Sequence, residues 1–496
     1  MQKLIFLLTF LPFSLSLKEF FHFLLFFSKE LLTNKIENLM DLYIMPSLER
    51  TNQIFTLYVV FPFIILLGLY FTIKLRGFQI ARLKNSFGYL LKQQKNAQGN
   101  ISYFEAISTV LAGNFGTGNI SGMAIALSTG GPGALIWMWI IAFFGSAIQY
   151  SSCILGVKYR QKDEGGEYVS GPMYYLSKGL GLNSLAKIFC VFTLFAALAV
   201  GNFAQINSMT LPIQKMGFPP LLCGFIFAFF IGLVLLGGIQ RIARFASIIV
   251  PLKAFLYLTF TLIILYLNRE KVWPALQLMF TSAFNFQAAA GGIIGISTLK
   301  AITTGFNRAI FATDAGTGIV PILQASARTE HPVIDGLVSL VAPCMVLIVC
   351  TMTGLVLLTT GAWQHGDLQS TNMVTYAFRI GLGHQIGEYV VIIALIMFGF
   401  TTILAWAYCA TQAITYLGGH RFARPFTYLY ILLIPLGTLI QINLVWDLAD
   451  LCITCMLVVN LIGIAGLANE VIIDSRAYFK DDKLKAKKNA IGKESA

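Results

Sequence analysis

Charge is what this sequence has least of. Only 11% of its 496 residues are Asp, Glu, Lys or Arg, against 57% hydrophobic, and the mean hydropathy is +0.74. A soluble domain carries roughly 25% charged residues because its surface must meet water. Lipid is the solvent that tolerates this scarcity. Acids are rarer than bases, 22 against 35, giving a net charge of +13. Histidine is rarer still: His22, His331, His365, His384 and His420 all fall in loops or in the N-terminal extension. No HExxH and no paired catalytic carboxylates lie within apolar segments, which argues against an intramembrane enzyme. The eight cysteines sit in or beside apolar runs. Cys452 and Cys455 form a CxxC, but without a second pair or a His cluster they read as small buried hydrophobes. Alternating segments of about ten residues, the mark of an outer-membrane barrel, are absent.

What is present is a series of apolar runs of the roughly 20 residues that a bilayer requires. Eleven are expected, at about 54–74, 104–127, 134–157, 186–209, 221–238, 246–267, 276–298, 336–360, 388–416, 426–444 and 450–472. The expected fold class is an all-α polytopic membrane protein. With 54–74 running inward, the loops at 74–103, 158–187, 239–245, 299–335 and 417–425 and the tail after 472 share one side. They hold 25 of the 35 Lys and Arg. By the positive-inside rule that side is cytoplasmic, which places the chain in the plasma membrane, or the inner membrane of a Gram-negative cell. The excess charge sets topology and touches lipid headgroups, so no nucleic-acid partner is expected. The first 27 residues, with Lys3 before LIFLLTFLPF, read as a signal-like core, an extra helix, or sequence upstream of a start at Met40 or Met45.

Two spans should not be straight helices. LAGNFGTGNISG across 111–122 and QAAAGGIIG across 287–295 concentrate glycine, which costs about 1 kcal/mol per helix position relative to Ala. Opened backbone survives in hydrocarbon only where it lines a cavity or contacts a ligand. A glycine-rich packing face is the alternative for either segment taken singly. Each interrupted span opens a run of five, 104–267 and 268–472, and because five is odd the halves face opposite ways. This inverted repeat, with a break in the same place in each half, points to a secondary transporter. Residues 54–103 form an accessory span and basic loop, 1–53 an N-terminal extension and 473–496 a Lys-rich cytoplasmic tail.

Half-helix ends at mid-membrane suit a zwitterion: N-terminal amides for a carboxylate, C-terminal carbonyls for an ammonium group or a cation. Acids and bases are nearly absent mid-span. Glu105, Asp447 and Asp450 lie at helix ends, and Lys253, a turn and a half from the cytoplasmic end, is placed to snorkel. No central carboxylate or His offers a proton relay, so Na⁺ held by oxygens is the preferred ion. Thr401 and Thr402, with Trp406 one turn on, are candidate ligands, although Thr pairs often bond their own helix. Asn202, Gln205 and Asn207 need polar partners in lipid, among which a substrate or a neighbouring helix would serve. A channel, by contrast, usually shows a repeated filter or a charge ring.

These blocks resemble the alanine or glycine:cation symporter family, sodium-coupled carriers with the leucine-transporter type of fold. GTGNISG, GGPGALIWMWIIAFFGSAIQY, KYRQ through GGEYVSGPMYYL, FTTILAWAY and VWDLAD carry the likeness from about 54 to 472. The resemblance implies sodium-driven uptake of a small neutral amino acid, alanine or glycine, by alternating access, with proton coupling or exchange as the alternative within that fold. It implies substrate contact by Gly116, Thr117, Gly118, Asn119, Gln205, Ala289, Ala290, Gly291, Gly292 and Trp406. It places Na⁺ between carbonyls near Gly113 and the hydroxyls of Thr401 and Thr402. One segment departs from the family: ATDAGTGIVPILQASA at 312–327 stands where SNEAG.GSAPIAHA is usual, and it is expected as a cytoplasmic re-entrant gate.

Overall fold

The computed structural model describes residues 45–90, 101–163, 166–284, 293–366, 368 and 370–494. The compact unit that carries the spans runs from Asn52 to Ala496. Apart from one two-stranded hairpin, β1 (Gln161–Lys162) and β2 (Tyr168–Val169), its regular elements are helical among the described residues. In chain order its helices include α1 (Phe61–Lys74), α2 (Tyr103–Asn114), α3 (Ser121–Gly130), α4 (Ala134–Lys158), α5 (Asn183–Lys215), α6 (Pro220–Leu235), α7 (Gly238–Leu267) and α8 (Arg269–Ala283). There follow α9 (Ile293–Thr313), α10 (Ile319–Gln324), α11 (Pro332–Thr360), α12 (Thr371–Leu382), α13 (Ile386–Gly418), α14 (Ala423–Leu433), α15 (Ile442–Gly466) and α16 (Ala468–Glu494). Among the described residues, seven helices are long and apolar enough to cross a membrane.

Burial separates an inner set from an outer one. In the most apolar stretch of α4, α11 and α13, 78% of residues are buried, against 28% in α7. The outer helices present Phe229, Phe230, Leu233, Ile248, Phe255 and Leu262 outward, a surface that only acyl chains would cover without penalty. The inner helices surround α2, α3, α9 and α10, which are two helices each interrupted partway.

The first interruption follows from its residues. Ser102 and Glu105 form a capping box that starts α2, with the Ser102 amide donating to Glu105 Oε2 at 2.9 Å. The glycines from 113 then end α2 at Asn114, one tight turn covers Thr117–Asn119, and α3 begins at Ser121. The second interruption lies where a gate was expected. Helix α9 stops at Thr313, Gly316 and Gly318 take φ of +86° and +88°, which glycine adopts freely, and α10 begins at Ile319. The two broken helices run antiparallel. Ile101 bonds Ser326 and Arg328 at one end, Asn114 bonds Thr313 in the middle, and Gly130 lies against Thr304 at the other.

Two expectations change, and a third lies largely outside the described residues. The span at 276–298 is not one helix, because α8 ends at Ala283 and α9 begins at Ile293. Of the expected second break, Ala289, Ala290, Gly291 and Gly292 lie outside the described residues, and Ile293, Ile294 and Gly295 are helical. The stretch 299–335, expected as a cytoplasmic loop with a gate at 312–327, holds most of a largely buried broken helix, α9 and α10. Its polar residues concealed it. Lys300, Asn307 and Arg308 lower its hydropathy, yet Arg308 is buried and paired with Asp450 of α15, its guanidinium 4.7 Å from the Trp446 ring.

Removing one member of a buried pair strands the other charge, which costs about 3–5 kcal/mol. Arg308→Met should therefore lose that much stability on thermal unfolding in detergent micelles, and Arg308→Met with Asp450→Asn should recover most of it. An Arg308→Met chain as stable as the parent would show the pair to be energetically inert.

Candidate functional site

The end of α2 frees a run of carbonyls, and each one finds a donor. The Thr402 hydroxyl, from α13, lies 2.8 Å from the Ala112 oxygen and 3.1 Å from that of Gly113. The Asn119 side-chain amide donates to Asn114 at 2.7 Å and to Gly116 at 3.1 Å. Phe115 accepts from the Lys253 ammonium at 2.7 Å. On the donor side, the Thr117 amide gives its hydrogen to Gln205 Oε1 at 2.9 Å, and the Thr117 hydroxyl donates to the same oxygen at 3.0 Å. An unpartnered peptide group in lipid costs several kcal/mol, so these donors and acceptors are what let the open turn persist.

Gln205 reaches the turn because α5 is itself irregular. A π-helical turn over Ala199–Phe203 shifts the register just before it, and Gln205 Nε2 donates back to Val200 at 2.9 Å. Such bulges are frequent at functional sites. Gly201 sits in the bulge where a Cβ would overlap Trp406 of α13, so glycine allows the indole to pack there. Gly116 has the same meaning on α2: an added Cβ would lie 2.9 Å from both Gln205 Oε1 and Thr402 Oγ1. The Gly113 position touches Leu323 of α10 and Ala405 of α13.

Of the expected substrate residues, Gly116, Thr117 and Gln205 thus share one contact network with Thr402, and Trp406 is buried beside Gly201. Gly118 faces the Phe311 ring of α9. Asn119 is turned inward as a cap, its Oδ1 accepting from the Cys350 thiol at 3.1 Å and its carbonyl from Thr353 at 3.0 Å. Thr401 and Thr402 are adjacent in sequence but differently engaged. Thr401 Oγ1 lies 3.0 Å from the carbonyls of both Met397 and Phe398, its own helix, and also accepts from Lys253 Nζ at 2.5 Å.

Sequence reasoning missed Lys253 as a site residue. It does not snorkel: it is fully buried on α7, with the Phe398 ring 4.8 Å from its ammonium. The available signal was its position, since an ionisable side chain within a span is a functional candidate by default. The oxygens of Ala112, Gly113, Phe115, Thr401 and Thr402 are the kind Na⁺ uses, yet the ammonium already takes two of them. A Na⁺ bound by this set would therefore compete with the Lys253 amine for the Phe115 carbonyl and the Thr401 hydroxyl.

Also missed was the second break itself. Asp314 takes φ of +49° and is buried, with neither carboxylate oxygen hydrogen-bonded among the described residues, while Thr317 bonds its carbonyl at 2.8 Å. Asn460 of α15 donates to Gly316 at 2.6 Å. The signal was Gly316 and Gly318 beside an acid, in the very segment that departs from the family pattern.

The comparisons with known proteins agree with this architecture. The family model described as the sodium:alanine symporter family matches residues 42–492. The sodium/alanine symporter AgcS of Methanococcus maripaludis is 37% identical over 431 residues, covering 85% of this chain and 94% of that protein. A probable sodium/glutamine symporter of Bacillus subtilis, GlnT, is 32% identical over 423 residues, covering 84% and 87%. Among solved structures, MhsT in complex with L-phenylalanine matches with a TM-score of 0.52 at 12% identity, over 77% of this chain and 99% of that one. The last likeness is one of fold, the leucine-transporter type.

Gln205→Ala removes the acceptor for two buried donors on Thr117, a loss of about 1–3 kcal/mol for each group left unsatisfied. Hydrogen exchange in the peptide spanning 111–122 should speed up, and Gln205→Glu, which keeps an acceptor, should change it less. Unchanged exchange in Gln205→Ala would mean that this contact does not hold the turn.

Proposed function

This chain belongs to the sodium:alanine symporter family, and on that premise we propose that it carries a small neutral amino acid, alanine or glycine, into the cell by alternating access. It is a multi-pass protein of the cell membrane and a transporter rather than an enzyme. The family indicates sodium use. The observation that carries the proposal is the meeting of two broken helices, α2/α3 and α9/α10, in the buried interior.

The chemistry suits a zwitterion. The turn from Gly116 to Asn119 precedes the N-terminus of α3, where the backbone dipoles favour a carboxylate. The carbonyl ends of α2 and α9 favour an ammonium group. In this reading Gly116, Thr117, Gly118, Asn119 and Gln205 line the substrate, and residues 314–318 supply the facing backbone. Trp406 bounds the space for the side chain, which restricts the cargo to small residues. From α2 to α7 and from α9 to α15 the chain is read as two halves of five spans in opposite orientation, with α8 and α12 as shorter elements between spans. Each half opens on its broken helix, so rocking one bundle against the other would expose the same site to each side in turn. A membrane potential of 100 mV contributes about 2.3 kcal/mol per charge moved with the substrate.

Full-length protein reconstituted in liposomes should exchange labelled alanine against internal unlabelled alanine, with glycine competing and glutamine or leucine competing poorly. Trp406→Ala should raise competition by the larger amino acids by about tenfold or more, the order expected when pocket volume sets discrimination. Lack of exchange for alanine, glycine, serine and glutamine alike would overturn the assignment.

A further inference from the structure

A side-chain amine already stands at the end of α2, and it belongs to the protein. Lys253 Nζ donates to the Phe115 carbonyl at 2.7 Å and to Thr401 Oγ1 at 2.5 Å. An ammonium group has three donors and accepts nothing. Its remaining face lies against aromatic rings, with Phe398 at 4.8 Å and Phe115 at 5.8 Å from ring centroid to nitrogen, a favourable setting for a desolvated cation. The residue is fully buried, and among the described residues no carboxylate forms an ion pair with it. Its partners are therefore the oxygens and ring faces of α2 and α13. One residue on along α13, Thr402 bridges to the Ala112 and Gly113 carbonyls of α2.

These are the groups from which a sodium site was expected: a carbonyl near Gly113 and the hydroxyls of Thr401 and Thr402. A bare cation needs several such oxygens at once, and here the Lys253 amine already holds one hydroxyl and one carbonyl. We propose that in this chain the Lys253 ammonium is the resident cation between α2, α7 and α13, and that Na⁺ does not bind there. The proposal rests on the transporter reading and refines it, since substrate movement is then not tied to sodium at this place. Lys253 thereby acts as an ion-specificity residue, tying α7 to the broken helix permanently where an exchangeable ion would do so intermittently.

Binding of radioactive Na⁺ to the purified full chain, read by scintillation proximity, tests this without any substrate. The wild type and Thr402→Ala should bind Na⁺ alike. Lys253→Met, which keeps length but removes charge, should gain saturable Na⁺ binding by about tenfold or more, because the like charge is gone. That gain should vanish when Thr402→Ala is added. Wild-type Na⁺ binding that Thr402→Ala abolishes would overturn the proposal, and this comparison stands even if Lys253→Met fails to fold. Alanine exchange measured in choline buffer separates the two readings. Exchange that persists without Na⁺ supports the proposal, and exchange that requires Na⁺ and loses that requirement in Thr402→Ala refutes it. Exchange absent from every buffer refutes the transport reading instead, and the sodium-binding comparison still decides the role of Lys253.

Discussion

A peptide group in hydrocarbon that loses its helical partner must find another, and the interior of this protein is arranged around that requirement. Five consecutive carbonyls, Ala112 to Gly116, open where α2 ends. Their donors come from three places: Thr402 on α13, Lys253 on α7 and Asn119 within the turn itself. Gln205 on α5 answers the Thr117 amide on the other side of the turn. Otherwise apolar helices thus each carry a polar residue at the same depth, which explains polar side chains that hydropathy alone would count as defects.

Close approach is the second condition, and the residues that break the helix also satisfy it. Gly116 admits Gln205 and Thr402, Gly118 admits Phe311, and Gly201 admits Trp406. The two breaks are unequal in their polar chemistry. The first has its carbonyls capped by side chains, whereas the second holds Asp314 in a left-handed conformation with both carboxylate oxygens unpartnered among the described residues. A non-glycine residue in that region stores strain of about 1–3 kcal/mol, which persists only where surrounding structure over-determines it.

Cations are kept in the interior in two different ways. Arg308 meets the carboxylate of Asp450 with Asn307 alongside, so charge cancels charge. Lys253 has oxygens and ring faces in place of a carboxylate among the described residues, so its amine is solvated by dipoles. The first arrangement fastens α9 to α15 near one end of the bundle. The second sets the Lys253 amine beside the turn where substrate and ion are expected.

Much of the fold was legible because lipid leaves few choices. Apolar length located α1, α4 to α7, α11, α13 and α15, and glycine with asparagine located the first break at Asn114 to Ile120. The break at Asp314 to Gly318 was not foreseen, because glycine frequency alone singled out 287–295, most of which lies outside the described residues. The operative glycines, Gly316 and Gly318, sit beside Asp314 in a segment whose helical approach contains Arg308 and so reads as a loop. Gln205 was visible as an amide needing a partner, but the π turn that aims it was not, since bulges depend on packing against α13 rather than on local propensity. Composition and periodicity by themselves determined the solvent, the class of fold and one half of the central crossing. Only the tertiary structure decided which broken segment meets the first, and that Lys253 turns inward to the carbonyl of Phe115. The reason is physical: a long cationic side chain near a helix end is free, on local grounds, to reach for water or for buried oxygens, and only neighbouring helices settle which is within reach.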